Sequence, residues 1–382
     1  MRRFKGGNVA LRRFKRFKDF FMLKQLKRFT LRMIAGANVA TILLMLLVGY
    51  SDRLDPSVYP KLSNIGLTFP FFVLVNLLFL AFWLLFKKRW ALIPLAGMLL
   101  GYQPVRNYCP LNLPQTVPDS TLCVVSFNAY NQRHIDDGEF RSEVLDYLRM
   151  QQADIVFLQE FSLRQADRDS LADLYPHIDT TRVVSGGDVL TLLSRYPIVG
   201  KEHIPTPADD PTVSAYHSAA FLLNIDGDTV CAINNHLEST RLTEQERSDF
   251  KKMLKGDMHK KAARQESQLL IDRLGESTEA RAPQARYVAR YLERCRSVIL
   301  AGDFNDGPIS YVRRTIGQNL TDCYRESGNG LGISYHANAF YVRIDHLMCS
   351  DDWIPYECKI DKKITISDHY PLRCRLKKRP KH

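Results

Sequence analysis

The segment VILAGDFNDGP, residues 298–308, runs four apolar residues into Gly302 and then places Asp303, Asn305 and Asp306 within four positions. A short apolar run bounded by turn residues reads as a strand buried on both faces. Asp, Asn, Gly and Pro are turn formers, because short polar side chains bond to nearby backbone and Gly accepts positive φ. Alone, then, the segment indicates a core strand followed by a turn. A rigid strand end is also a good mount for metal ligands or for groups that orient water, and the other strands decide between the two readings.

The same pattern recurs along the chain. The strand expected at 121–127 ends in Asn128, that at 154–158 in Gln159 and Glu160, and that at 229–235 in His236. A strand at 343–348 opens near Asp345, and ISDHYP sets Asp368 and His369 ahead of the last strand. Between them, EFRSEVLDYLRM (139–150) and SLRQADRDSLADL (162–174) have helical spacing, and 244–295 reads as charged helix with a break near STEARAP. DVLTLLSRYPIV reads as a strand, a turn at Pro197 and a return strand, and 218–238 as a hairpin around Asp226–Asp228. Mixed strands and helices with many hairpins fit an α+β sandwich with helices outside. Six elements that each deliver Asn, Asp, Glu or His at a terminus imply one shared site at one end of that sandwich.

The residue types point to a reaction. Carboxylates with an Asn carbonyl are hard oxygen ligands suited to Mg2+ or Mn2+, and two or three His are then left for proton transfer and phosphate contact. The chain has no GxSxG elbow and no HExxH. Metal-assisted hydrolysis of a phosphoester is the natural chemistry for such a set.

The N-terminal third is of another kind. Met33–Tyr50 and Leu62–Phe86 carry no charge, and each is long enough to cross a hydrocarbon core of about 30 Å as a helix. Ala91–Val105 is a third uncharged run, short enough to be a span, a re-entrant segment or a buried helix. We expect spans at 33–50, 67–86 and, for a third crossing, 90–105 within a membrane region of 33–105. Residues 1–32 hold twelve Lys/Arg and one acid, interleaved with Phe and Leu, and Lys87, Lys88 and Arg89 form the next basic cluster. The positive-inside rule places both in the cytoplasm, with 1–32 as an amphipathic helix on the membrane surface or a disordered basic tail. A third crossing would put the C-terminal domain outside the cytoplasm, anchored to an inner membrane; its absence would leave that domain inside.

The net charge of +12 belongs to this anchor: residues 1–120 hold 18 basic and 4 acidic residues, the remainder 35 and 37. The C-terminal part therefore lacks the basic excess of a generic nucleic-acid binder, although KKMLKGDMHKK (251–261) is a local basic candidate. The eight cysteines form no CxxC pair, which leaves a zinc ribbon without support, and several sit in apolar strand-like runs as buried thiols. The Pro-containing stretch 102–120, with residues 106–120 as its core, reads as the linker to a domain at 121–377.

Taken in order, SFNAYN, ADIVFLQE, LLSRYPIV, NNHLES, GDFND, RIDHLMCS and SDHYPL resemble the endonuclease/exonuclease/phosphatase superfamily over roughly 121–377. The resemblance implies a four-layer α/β sandwich of the pancreatic-deoxyribonuclease-like type, here preceded by two or three transmembrane helices as in membrane-tethered bacterial members. It implies Glu160 as the principal metal ligand, with Asn128 beside metal and phosphate and Asp368 as an auxiliary ligand. It gives Asp303 the attacking water, Asn305 the phosphate oxygens, His236 the phosphate or leaving group, His369 the catalytic imidazole and Asp345 its orienting carboxylate. Some members carry Asp two residues after the first Asn; Tyr130 stands there, which puts a second-metal site in doubt. His236, where abasic-site endonucleases have Tyr, argues against that subgroup. Substrates implied range over DNA, RNA and lipid headgroups, and a tethered binding domain that kept the fold without catalysis is the alternative. No protein partner is evident. Asp306 reads as a turn residue, His346 as a paired or packed one, His134 and His217 as structural or surface, and Arg195 as fixing its turn.

Overall fold

The computed structural model describes residues 7–130, 138–182, 189–204, 217–240, 242–337 and 340–380; His134 lies outside them. The chain divides into two compact units, one of residues 1–48 and 68–102, the other of residues 49–67 and 103–382.

The first unit is helical. One helix runs unbroken from Gly7 to Gly49, so the basic segment and the first apolar run are a single element rather than two. Phe69–Phe86 and Leu92–Leu100 follow. Two helical stretches, Phe20–Arg53 and Pro60–Phe86, are long and apolar enough to cross a membrane. The third uncharged run is interrupted: its nine-residue helix stops at Gly101 and a second begins at Tyr102. Nine residues rise only about 14 Å, well short of a hydrocarbon core. Large apolar side chains such as Leu43, Leu47, Leu74, Leu78 and Leu85 point outward, while the interior is polar at one level. Asn38 donates to Asn76 at 3.1 Å, Asn76 donates to the Pro94 carbonyl at 3.1 Å, and Trp83 Nε1 donates to Asn38 at 3.1 Å. Apolar exterior and side-chain hydrogen bonds between helices are the packing that a lipid solvent favours.

The second unit is a four-layer sandwich of two six-stranded sheets between outer helices. The strands are β1 Leu122–Asn128, β2 Ile155–Gln159, β3 His177–Arg182, β4 Val189–Ser194, β5 Ile198–His203, β6 Ser218–Ile225, β7 Asp228–His236, β8 Val298–Asp303, β9 Thr321–Asp322, β10 Asp345–Cys349, β11 Trp353–Ile360 and β12 Leu372–Lys378. One sheet has the order β11-β12-β1-β2-β4-β3, the other β5-β6-β7-β8-β10-β9. Each centres on one parallel pair, β1–β2 and β7–β8, with antiparallel neighbours.

Side-chain alternation builds three apolar layers. In β1, Val124 enters the core between the sheets while Cys123, Val125 and Phe127 pack under the helix Gly138–Gln151. In β8, Ile299 and Ala301 enter the central core while Val298 and Leu300 pack with Ala285 and Val288 of the helix Lys260–Leu292. Both faces are covered, so these strands read as continuous apolar runs rather than alternating ones.

Several local expectations are corrected. SRYP is no hairpin turn: β4 and β5 belong to different sheets, and Pro197 carries the chain across. Arg195 does fix this crossing, through Asp154. The break expected near STEARAP lies instead at Gly256–His259. The helix Lys260–Leu292 continues through Pro283, because Ala282, Pro283 and Ala285 are buried there and packing offsets an interior proline that costs about 3 kcal/mol. Residues 102–108 are helix rather than loop, and the following segment is tied down, with Gly330 N donating to Pro110 O and Asn112 bonded to Arg325, Gly328 and Asn329. Residues 49–67, which include the start of the second apolar run, also pack within this unit: Asn64 donates to Leu274 O and accepts from Thr278, and Asp55 pairs with Arg286.

Candidate active site

β-Sheet register assembles the centre. In the second sheet β8 lies between β7 and β10, and its last residue, Asp303, pairs with His236 on one side and Asp345 on the other. In the first sheet Asn128 pairs with Gln159 at the end of β1–β2. The two parallel pairs end at the same place. Gln159 Nε2 donates to Asn234 Oδ1 at 2.7 Å, and Asn234 Nδ2 reaches back to Leu158 O and Thr191 O, which pins the two sheets together.

The side chains then meet. Asn128 Nδ2 donates to Glu160 Oε1 at 2.8 Å and to Asp303 Oδ2 at 3.2 Å. His236 Nε2 stands 3.2 Å from Glu160 Oε1 and 3.9 Å from Asp303 Oδ2. His369 Nε2 stands 3.7 Å from Asp303 Oδ2, and its Nδ1 donates to Asp345 Oδ2 at 2.8 Å. Asn305 donates its backbone N–H to Asp303 Oδ1 at 2.7 Å and its side chain to Leu237 O at 2.9 Å. Asp368 directly precedes His369; its Oδ1 is buried with no hydrogen-bond partner. Asn128, Glu160, His236, Asp303, Asn305, Asp345 and His369 are thus linked by direct contacts, with Asp368 next to His369 in the chain.

The backbone is bent to achieve this. Glu160 and Asn305 have φ of 60° and 51°, in the left-handed region that non-glycine residues rarely enter. Such conformations cluster where the surroundings over-determine them, active sites included. At Gly302, with φ 137°, a Cβ would lie 2.0 Å from Asn235 O, so only glycine allows β7 and β8 to approach at this point.

Electrostatics follow from burial and company. Burial opposes the charged form of His369, but Asp345, Asp303 and Asp368 outweigh it and raise its pKa to about 10. Burial raises Asp303 to about 6, with His369 and His236 pulling the other way. Glu160 is also penalised by burial, yet His236 and Asn128 hold it below the usual carboxylate range. Burial and the Glu160 charge both push Asp368 up. An imidazolium beside a carboxyl that titrates near neutrality is a set able to exchange protons with a reacting group.

The ligand atoms of Asp303, Asp345 and His369 lie within 4.8 Å of one another, as in a metal-binding group. The Asp345–His369 hydrogen bond, however, makes that pair an oriented dyad. Glu160 and Asp368, whose Oδ1 is buried without a hydrogen-bond partner, are hard oxygen donors of the kind a divalent cation takes.

Three supporting groups were not singled out in the sequence, although Ser367 belongs to the SDHYPL segment. Tyr335 meets the His369 ring edge-on at 5.0 Å, and Arg247 donates to its hydroxyl at 3.2 Å. Ser367 Oγ donates to Asn128 O and accepts from His369 N, so it ties the segment that carries His369 to the end of β1. Tyr335 sits in irregular chain with no strand end to mark it. His346 is the packed residue expected, donating Nε2 to Asp306 O at 2.9 Å against the Phe304 ring. His217 is structural, donating Nδ1 to the His236 carbonyl at 3.1 Å. Asp306 bonds its turn at Gly307 but also faces the fully buried Arg281 at 3.7 Å.

Residues 125–369 match the Endonuclease/Exonuclease/phosphatase family over most of the chain. The chain belongs to this family. Residues 31–108 match a domain of unknown function, DUF8431. No curated protein matches. Among solved structures, an endonuclease/exonuclease/phosphatase family protein from Leptotrichia buccalis is 14% identical, with TM-score 0.48, covering 67% of this chain and 99% of its own. One from Beutenbergia cavernae is 17% identical, with TM-score 0.47, over 68% and 72%. TDP2 of D. rerio, complexed with single-strand DNA product, is 17% identical, with TM-score 0.46, over 68% and 100%. Endonuclease/exonuclease/phosphatase enzymes are hydrolases of phosphoesters that use divalent metals, and this member has a buried cluster of Asp303, Asp345 and His369.

Proposed function

We propose that this protein is a membrane-anchored, divalent-metal-dependent phosphoesterase that hydrolyses a phosphodiester or phosphomonoester by attack of water. The observation that carries the reading is the position of Asp303 Oδ2, 3.9 Å and 3.7 Å from the Nε2 atoms of His236 and His369, with Asn128 donating to it. A tetrahedral phosphate fits the chemistry of that ring: cationic or neutral N–H donors on two sides and a proton acceptor on the third.

Glu160, with Asp368 and Asn128, would hold Mg2+ or Mn2+. When bound, the ion supplies charge neutralisation at the phosphate oxygens and a lowered pKa for water. Asp303 orients the attacking water and accepts its proton as the new P–O bond forms. Asn305 and His236 hold the non-bridging oxygens. His369, kept charged and aimed by Asp345, stabilises the charge that develops as the ester P–O bond breaks, and the departing oxygen takes a proton from the histidine side of the site. A purely binding domain would need neither a water-activating carboxylate nor an oriented imidazolium, which speaks against the non-catalytic alternative.

The membrane reading is supported by the two apolar helical stretches and their exposed Leu and Phe. With twelve basic residues before Met33, the positive-inside rule places the N-terminus in the cytoplasm; a full crossing by 90–105, which two short helices would have to make together, would place the phosphoesterase domain outside an inner membrane. A substrate at or near the bilayer, such as a lipid headgroup, then meets the site readily; nucleic acid is the other class. The test is turnover of bis-p-nitrophenyl phosphate by the full chain with Mg2+, then with chelator, followed by a panel of phospholipid, DNA and RNA substrates. Absence of any metal-dependent turnover would sink the enzymatic reading.

A further inference from the structure

A polar cavity of about 530 Å3 shares no residue with the strand-end site. Its wall is made by the chain leaving the helix Gly7–Gly49 (Asp52 and Arg53), by the helix Tyr102–Tyr108 (Asn107), and by residues 313–325 of the sandwich, chiefly Arg313, Arg314 and Arg325. Four arginines face two lining carboxylates, Asp52 and Asp322.

Two of the arginines are already used. Arg313 closes on Asp322 through two bonds of 3.1 and 2.6 Å. Arg325 donates to Gln103 at 2.9 Å and lies near Glu326. Arg53 and Arg314 form no ion pair among the described residues, and both are exposed. Arg53 is held over the Tyr50 ring, 4.9 Å from its centroid. Two residues of the wall, Asp52 and Asn107, each bury an Oδ1 that has no hydrogen-bond partner, whereas Arg325 Nε, also without a hydrogen bond, stands 3.5 Å from Glu326 Oε1. Unpaired buried polar atoms are costly and call for an explanation. Two orphan acceptors thus lie beside two guanidinium groups that form no close ion pair, although both act on the Asp52 carboxylate at longer range.

We propose that this cavity binds an organic phosphate bearing free hydroxyls, of the phosphoglycerol type. Arg53 and Arg314 grip the phosphate, for which the guanidinium fork is suited, and the hydroxyls donate to Asp52 and Asn107. Such a group exists both as a free glycerol phosphate and as the headgroup of phosphatidylglycerol. The cavity wall begins at Gly49, the last residue of the first apolar helix, and at Gln103, just past the third apolar run, so on the membrane reading the headgroup is the nearer source. The binding site itself stands without the phosphoesterase reading.

The experiment uses the full chain. Protein in phosphatidylcholine nanodiscs with or without phosphatidylglycerol is released and its retained lipid read by native mass spectrometry. In parallel, detergent-purified protein is titrated with sn-glycerol 1-phosphate and with inorganic phosphate, with calorimetry and thermal melting as readouts. The wild type should retain phosphatidylglycerol over phosphatidylcholine, and Arg53→Gln with Arg314→Gln should lower that retention about tenfold or more while turnover of a soluble phosphodiester is unchanged. Binding of glycerol phosphate alone, lost in the same variant, would support the site with the free compound as ligand. A rise in melting temperature of the wild type with glycerol phosphate tests the site without any variant, and Arg53→Lys with Arg314→Lys, which keeps charge but not the fork, should bind with intermediate strength. No binding of any probe by the wild type, or equal binding by wild type and the Gln variant, overturns the proposal.

Discussion

His369 donates Nδ1–H to Asp345 at 2.8 Å, although the two residues are 24 positions apart and lie on different segments. The bond fixes which ring nitrogen faces Asp303 and keeps the imidazole charged well above neutral pH.

His369→Ala should therefore lower kcat on a phosphodiester by roughly 10²–10⁴-fold, the usual worth of a positioned acid–base group. Asp345→Ala should lower kcat more than it raises KM, and the two losses should be strongly non-additive, because Asp345 acts only through His369. Fully additive losses in a double-mutant cycle would contradict the dyad.

Glu160→Gln keeps the shape of the side chain and its contact with Asn128 but removes the charge. Half-maximal activity should shift to a higher Mg2+ concentration, and Asp368→Asn should produce a smaller shift in the same direction. Calorimetric titration with Mg2+ checks both. Unchanged metal affinity in Glu160→Gln would move the metal elsewhere.

Gly302→Ala should fail to fold or lose well over 1 kcal/mol, since its φ of 137° suits no other residue and a Cβ would strike Asn235 O. Chemical denaturation measures the loss. A variant of wild-type stability would mean that β7 and β8 can separate at the site.

Acid should destabilise the domain through His346. Burial lowers its folded pKa to about 4 from an ordinary value near 6.5, so the unfolded chain binds the extra proton first. This contribution is fully present above pH 6.5 and is lost as pH falls from about 6.5 to 4, a span worth roughly 3 kcal/mol at about 1.4 kcal/mol per unit. His346→Gln should flatten the stability profile over that window, whatever its effect at pH 8. An unchanged profile would show that other groups govern the acid limb.

A reporter fused after residue 382 should behave as exported if 90–105 crosses. A cytosol-active reporter there would reverse the placement of the domain, and the interruption at Gly101 makes this the decisive segment.

Local chemistry made much of this protein legible in its sequence. Apolar runs bounded by polar residues marked β1, β2, β7, β8 and β10, and each brought one group of the site to a strand end, because a strand buried on both faces can place polar side chains only where it leaves the core. Charge-free runs marked the apolar helices for the same reason of solvation. What only the tertiary structure decided lies between segments. The register that seats Asp303 between His236 and Asp345, the crossing from β4 to β5, the uninterrupted helix through Pro283, the contact of Tyr335 with His369, and the packing of residues 49–67 on the sandwich all depend on partners distant in the chain. Periodicity reports which face a residue shows, but it carries no information about which segment covers that face.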